Sequence, residues 1–223
     1  MAARYAKFLV EPTAEWEVGV YTVRLAAPNG LSNMLLFTVG AFAEITEEES
    51  RPGSLPNQND SIEKAQTLSS TPLVVNGTLK GPERDVYRVY GKATEKRVFE
   101  IEARRAGSSI DPVIRILDAN GKPLARSEDD PLLSLDARLE FTFPREGYYY
   151  VEVHDARFST QSQNFYRLKT GFYPHATEVF PLGGRRGEVV DVSLGAGTVK
   201  ADLRNAAGPQ TFLNLPESPA LPV

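Results

Sequence analysis

Along most of the chain apolar and polar residues alternate with a period of two, the spacing of half-buried strands. Val113, Arg115 and Leu117 fall on one side of such a segment, Ile114 and Ile116 on the other. Between residues 109 and 155 the pattern predicts two β-hairpins separated by an acidic loop. The first turns at Asn120-Gly121, a pair that supplies the positive φ of a two-residue turn. In the second, Gly147 opens a strand whose Tyr149, Val151 and Val153 share a face. From Leu73 to Lys169 strands alternate with turn signals about every 8–12 residues, the rhythm of an all-β sandwich. Only residues 61–68 suggest a short helical turn, with Ser61 as its cap.

The flanks read differently. Residues 1–42 hold an alternating run from Val20 to Leu25, a Pro28-Asn29-Gly30 turn and a second run at Leu35–Val39. Residues 43–60 lack periodicity: Glu44, Glu47, Glu48 and Glu49 lead into a stretch rich in Pro, Gly, Ser and Asn, which predicts a linker. Residues 171–205 start another β unit around Val179–Pro181 and Val189–Val192. Residues 206–223, rich in Pro and Ala, are expected to be a flexible tail. The predicted architecture is a central β-sandwich of about eight strands at 61–170, flanked by partial β segments at 1–42 and 171–205.

Composition narrows the classes. A chain of 223 residues makes one large or two modest domains. Its net charge of −4, with scattered basic residues, gives no stripe for nucleic-acid phosphates. There is no cysteine, hence no disulfide or thiol chemistry. No apolar run approaches the roughly 20 residues of a membrane helix. The first ten residues do not read as a signal peptide, so a signal for export would lie outside this chain.

Asn57 to Lys169 resembles the bacterial pre-peptidase C-terminal domain, an extracellular β-sandwich. The resemblance rests on an ordered series: Asn59-Asp-Ser-Ile with Ala65, Val75-Asn-Gly-Thr-Leu, Glu83-Arg-Asp-Val-Tyr, Asp111-Pro, Leu117-Asp-Ala-Asn-Gly, Glu128-Asp-Asp, Ala137-Arg-Leu and Gly147-Tyr-Tyr-Tyr-Val-Glu-Val. It implies a jelly-roll-like sandwich in an extracellular, periplasmic or cell-surface setting. The implied role is a non-catalytic accessory or spacer module beside a parent peptidase domain. The N-terminal run from Gly19 to Val39 looks like the last strands of an IPT/TIG-type immunoglobulin-like domain, and Val179–Val192 looks like its first strands. Packing of these two pieces into one composite sandwich is therefore an expectation to test.

Catalysis finds no foothold in the sequence. The two histidines are His154, at a strand end beside Asp155, and His175, after a proline. Neither sits in a triad pattern, and no Gly-x-Ser-x-Gly elbow or zinc motif occurs. Calcium suits the residues better, because it takes about six to eight oxygens from carboxylates, amides and carbonyls. Two acidic sets offer them. The first joins Glu47, Glu48 and Glu49 with Asn57, Asn59, Asp60, Glu83 and Asp85; within it Asn59, Asp60, Glu83 and Asp85 are the assigned metal candidates. In the related collagen-binding domains calcium lies between an acidic linker and a strand start matching Asp85. Here residues 51–58 separate the glutamates from Asn59-Asp60. The second set is Asp111, Glu128, Asp129, Asp130 and Asp136, with Asp111, Asp129 and Asp130 assigned.

For ligand binding the tyrosines stand out. Tyr148, Tyr149 and Tyr150 are consecutive, so their rings alternate between faces and one face must display phenols. Tyr148, Tyr150 and His154 are the candidate contacts for an extracellular polymer, a collagen-like protein or a polysaccharide.

Overall fold

The computed structural model describes residues 16, 18–49, 58–69, 71–158, 164–195 and 197–204. Sixteen strands and two 3-10 turns follow in chain order. A hairpin of β1 (Gly19–Val23) and β4 (Leu35–Val39) encloses the two-residue strands β2 (Ala26–Ala27) and β3 (Gly30–Leu31). Next come β5 (Ala43–Thr46), a 3-10 turn at Ile62–Lys64, β6 (Gln66–Thr67), β7 (Leu73–Thr78), β8 (Arg84–Gly91) and β9 (Lys96–Glu102). A second 3-10 turn, Arg104–Ala106, precedes β10 (Pro112–Leu117), β11 (Pro123–Ser127), β12 (Arg138–Thr142), β13 (Gly147–Asp155) and β14 (Phe165–Gly171). A last hairpin pairs β15 (Val189–Ser193) with β16 (Thr198–Asp202).

The centre is an all-β sandwich of two five-stranded sheets, ordered β11-β10-β13-β8-β6 and β12-β9-β14-β7-β5. Pairing is antiparallel except at one edge of each sheet, where β6 runs parallel to β8 and β5 parallel to β7. The alternating apolar positions meet between the sheets. Val75, Tyr87, Phe99, Ile101, Ile114, Val151 and Leu168 are buried there, and no described residue of this set retains more than a trace of solvent contact. Gly77 has a packing reason: a Cβ there would lie 2.4 Å from the Tyr166 ring, so its absence lets that ring cross the core.

Two local expectations change. The first hairpin, β10–β11, forms, but its loop is longer than two residues. Asp118 Oδ1 accepts the N–H groups of Asn120 (2.8 Å) and Lys122 (3.0 Å) and shapes the turn, and Gly121 takes the positive φ of 80°. The second hairpin does not form. β12 pairs with β9 in one sheet, whereas β13 lies between β10 and β8 in the other. Residues 143–146 are a corner between sheets. Phe143 and Tyr149 both point inward, with ring centroids 4.8 Å apart, and the Tyr149 hydroxyl donates to the Arg145 carbonyl at 2.8 Å.

The two terminal pieces share no sheet: β1–β4 and β15–β16 are separate two-stranded sheets, the second joined by a bridge between Phe180 and Ser193. The first stands over the outer face of the β12-β9-β14-β7-β5 sheet, where Thr38 Oγ1 donates to Glu102 at 2.9 Å and Arg167 grips both Glu44 and Glu102. The last hairpin has its own small cluster of Val192, Leu194, Val199 and Ala201.

Candidate metal centre

Three segments converge at one end of the sandwich. The parallel pairing of β5 with β7 runs on past Thr46, since the Glu47 N–H donates to the Asn76 carbonyl at 2.9 Å. The chain then bends at Glu48 and turns at Glu49, just past the strand end. Glu47 is buried, and one of its oxygens accepts the Thr78 N–H (2.8 Å) and hydroxyl (2.9 Å). The second segment holds Asn59 and Asp60 before the first 3-10 turn and is tied to β8 by the Val86 N–H donating to the Asn59 carbonyl. The third is the start of β8, with Glu83 and Asp85.

The carboxylates of Glu49, Asp60 and Glu83 offer oxygens that all lie within 4.8 Å of one another. Among the described residues no other three acidic or histidine side chains gather this closely. Asp60 Oδ1 is buried and meets no hydrogen-bond donor. Such an atom is costly to leave without a positive partner. Countercharge comes from Lys80, whose Nζ lies 2.6 Å from Glu49 and whose side chain is about half exposed (54%), and from Lys64, which acts on Asp60. Burial, followed by the charges of Glu49 and Asp60, pushes the Glu83 carboxyl up to about 7. Burial and then the charge of Glu49 also raise Asp60.

Beneath this trio lies a buried layer. Asp85 accepts the Tyr166 hydroxyl at 2.5 Å, and that hydroxyl meets the Tyr87 hydroxyl at 2.5 Å. Burial, then the charge of Glu47, raises Asp85 well above the usual carboxylate range. Glu47 and Asp85 therefore form an acidic floor, and Glu49, Asp60 and Glu83 an outer rim. An all-oxygen donor set without nitrogen or sulfur fits a hard cation such as calcium and not zinc.

Of the four assigned residues in the first set, Asp60 and Glu83 join the rim. Asn59 is buried beside them and Asp85 lies in the floor. Glu49, in the turn just after β5, completes the trio. Asn57 lies outside the described residues.

The second set does not assemble into a ligand-like group. Asp136 is buried, with Oδ1 accepting the Ala103 and Arg104 N–H groups and Oδ2 accepting the Arg105 N–H and Nε. Asp130 pairs with Arg138 at 2.9 Å and accepts the Leu132 N–H. Glu128 pairs with Arg126, Asp129 is exposed, and Asp111 is anchored by its backbone to Asp155.

The tyrosine candidates separate too. Tyr148 is exposed and meets the exposed Tyr90 edge-on at 5.3 Å, with the Arg88 guanidinium 5.0 Å over its ring. These two tyrosines line a groove of about 750 Å³ with Lys92, Lys96, Pro72 and Phe172. Tyr150 is half-buried between Leu117 and Arg88 on the neighbouring strands. His154 is a correction: it is buried, stacked on Phe158 with ring centroids 4.9 Å apart, its Nδ1 3.3 Å from Glu152. Phe158 covers the ring and keeps it from a polymer.

No described helix is long and apolar enough to cross a membrane. No family model matches the chain, and no curated protein matches it. Among solved structures the chain is similar to the pre-peptidase C-terminal domain of a collagenase from Bacillus anthracis, at 15% identity and a TM-score of 0.39, over 48% of this chain and 93% of that one.

Proposed function

We propose that the chain is a non-catalytic accessory module of a secreted or cell-surface bacterial protein, placed beside a parent peptidase domain and ordered by calcium. The carrying observation is the rim of Glu49, Asp60 and Glu83, three carboxylates drawn from separate segments with one buried oxygen left without a donor. Calcium would be held by that rim, with Asn59 and the acidic floor behind it. It would tie the end of β5 to the start of β8 and so fix the segment leading from the N-terminal hairpin into the sandwich. In this reading the module spaces and stabilises; the buried stacking of His154 on Phe158 agrees with a structural imidazole.

A thermal melt with excess calcium and with chelator tests the proposal. A ligand specific for the folded state at a hundredfold excess over Kd adds about 2.7 kcal/mol, a shift of several degrees. The shift should vanish in Asp60→Asn and survive in Asp130→Asn. Equal melting temperatures with calcium and chelator would refute the metal site.

One observation favours a second activity, attachment to an extracellular polymer. The Tyr90–Tyr148 pair exposes two phenol rings beside an open groove, and flat aromatic faces with cationic neighbours suit collagen-like or polysaccharide chains. Co-sedimentation with insoluble collagen and with insoluble glycans, comparing the native chain with Tyr148→Ala, decides it. Recovery of both proteins in the supernatant would leave the spacer role alone.

A further inference from the structure

The arginines on the strands of the sandwich follow a rule with one exception. Arg84, Arg97, Arg115, Arg126, Arg138 and Arg167 each pair with a carboxylate. Arg88, midway along β8, pairs with none among the described residues. It is nevertheless held in place. Its Nε donates to Thr67 Oγ1 at 3.1 Å, and its guanidinium lies 5.0 Å over the Tyr148 ring. Its two Nη groups meet no acceptor among the described residues. A half-buried guanidinium, ordered by its neighbours and with its outer N–H groups unmet, is a preformed fork for an oxyanion. Little of its freedom remains to be lost on contact.

The fork borders the groove of Tyr90 and Tyr148, because Thr67 and Tyr148 both line that groove. Lys92, which also lines it, is exposed and has no carboxylate partner among the described residues. Glu95 is the acid among the lining residues, and Arg97 holds it at 2.5 Å, so its charge is met from within. The Tyr90 hydroxyl likewise engages Glu146. The groove therefore presents two phenol rings, the side chains of Thr67, Ser69 and Thr71, and two cations without countercharge.

We propose that the ligand of this groove is an acidic polysaccharide, one oxyanion of which is held by Arg88 and Lys92 while sugar rings lie against Tyr90 and Tyr148. The proposal rests on the reading of the groove as an attachment surface and names its ligand class. A sugar ring offers an apolar C–H face to the phenol rings and hydroxyls to the threonines and serine. A neutral glycan would leave both cations unmet. Nucleic acid is disfavoured by the net charge of −4, which opposes a long run of phosphates.

Affinity electrophoresis through dextran, carboxymethyl-dextran and dextran sulfate tests this, since the three share a backbone and differ in charge. The native chain should bind the charged polymers at least about tenfold more tightly than dextran. The tighter of the two identifies the oxyanion as carboxylate or sulfate. Arg88→Gln should lose that margin, Arg88→Lys should keep part of it, and Lys92→Gln, at an exposed position, should reduce it. Arg186→Gln, an equal change of charge at an exposed position outside the groove, should leave it intact. Thermal melts confirm that each variant is folded. Equal binding of the three polymers would overturn the proposal, and so would a loss as large in Arg186→Gln as in Arg88→Gln. Retention on collagen or a neutral insoluble glycan, with no binding to the charged dextrans, would overturn this ligand class and leave attachment standing. Retention on no polymer would remove both.

Discussion

The two acidic regions of this molecule begin as near equals and end as opposites. Each brings about five acidic side chains to one neighbourhood of the sandwich. Around Asp136 and Asp130 every strong demand is met from within: Arg105 and Arg138 supply charge, and the backbone of residues 103–105 supplies donors. Around Glu49, Asp60 and Glu83 less is supplied: Lys80 and Lys64 bring charge, the Lys80 N–H donates to Glu83 and the Gln58 N–H to Glu49, one buried Asp60 oxygen meets no donor, and the Asp60 and Glu83 carboxyls resist ionisation. The difference shows that the number of carboxylates does not make a metal site. What matters is whether the fold has already given them partners.

The largest effect that could break this comparison comes from the satisfied region. Asp136→Ala removes a fully buried carboxylate that caps the 104–106 turn and pairs with Arg105. Loss of one partner from such a buried, hydrogen-bonded pair should cost about 3 kcal/mol. Chemical denaturation should show that loss equally with calcium and with chelator. If the loss were larger in calcium than in chelator, the second region would be a metal site after all.

Glu83→Gln sharpens the contrast from the other side. In chelator it removes a charge that Glu49 and Asp60 repel, so the melting temperature should rise, by about 2–4 °C. In calcium it removes a ligand, so the gain from metal should shrink. A substitution that stabilises the metal-free protein and destabilises the metal-bound one marks a rim built for a cation. A fall in both conditions would mark Glu83 as an ordinary structural residue.

The pH dependence carries the same contrast. Glu83 is raised from 4.5 to about 7, so between those values the folded chain holds a proton that the unfolded chain has released. Stability of the metal-free protein should therefore decline as pH rises through that window, then level off. Excess calcium binds the ionised form and should reverse the slope. A pH series of melts in chelator and in calcium reads both signs, and Glu83→Gln should flatten the calcium-free decline.

How much of this was visible in the sequence depends on what kind of contact made it. The sandwich was legible because alternation reports a half-buried strand directly. The β12–β13 hairpin was misread because sequence adjacency looks like pairing. What separates them is the inward turn of both Phe143 and Tyr149, which makes the segment a corner. Asp60 and Glu83 were legible as acids in the right order along the chain. Their distinction from Asp130 could not be read from neighbouring charges, since arginines flank both sets, Arg105, Arg126 and Arg138 the second and Arg51 and Arg84 the first. The Asp85–Tyr166–Tyr87 layer could not be read, since it joins residues 79 and more positions apart that meet only after the sheets close.

The smallest prediction is a null, and it isolates geometry from charge. Asp129→Asn and Glu83→Gln each remove one negative charge from the same chain. Asp129 is exposed in the loop of the second region, so its field at the rim passes through solvent, where screening acts over about 8 Å at physiological salt. Its substitution should move stability by no more than about 0.5 kcal/mol and leave the calcium response unchanged. Melts of the two variants, run side by side in chelator and in calcium, compare equal changes in net charge at unequal places. If Asp129→Asn weakened the calcium response as much as Glu83→Gln, diffuse attraction by an acidic surface would account for the effect. If only Glu83→Gln did so, the response would belong to three carboxylates whose oxygens stand within 4.8 Å of one another.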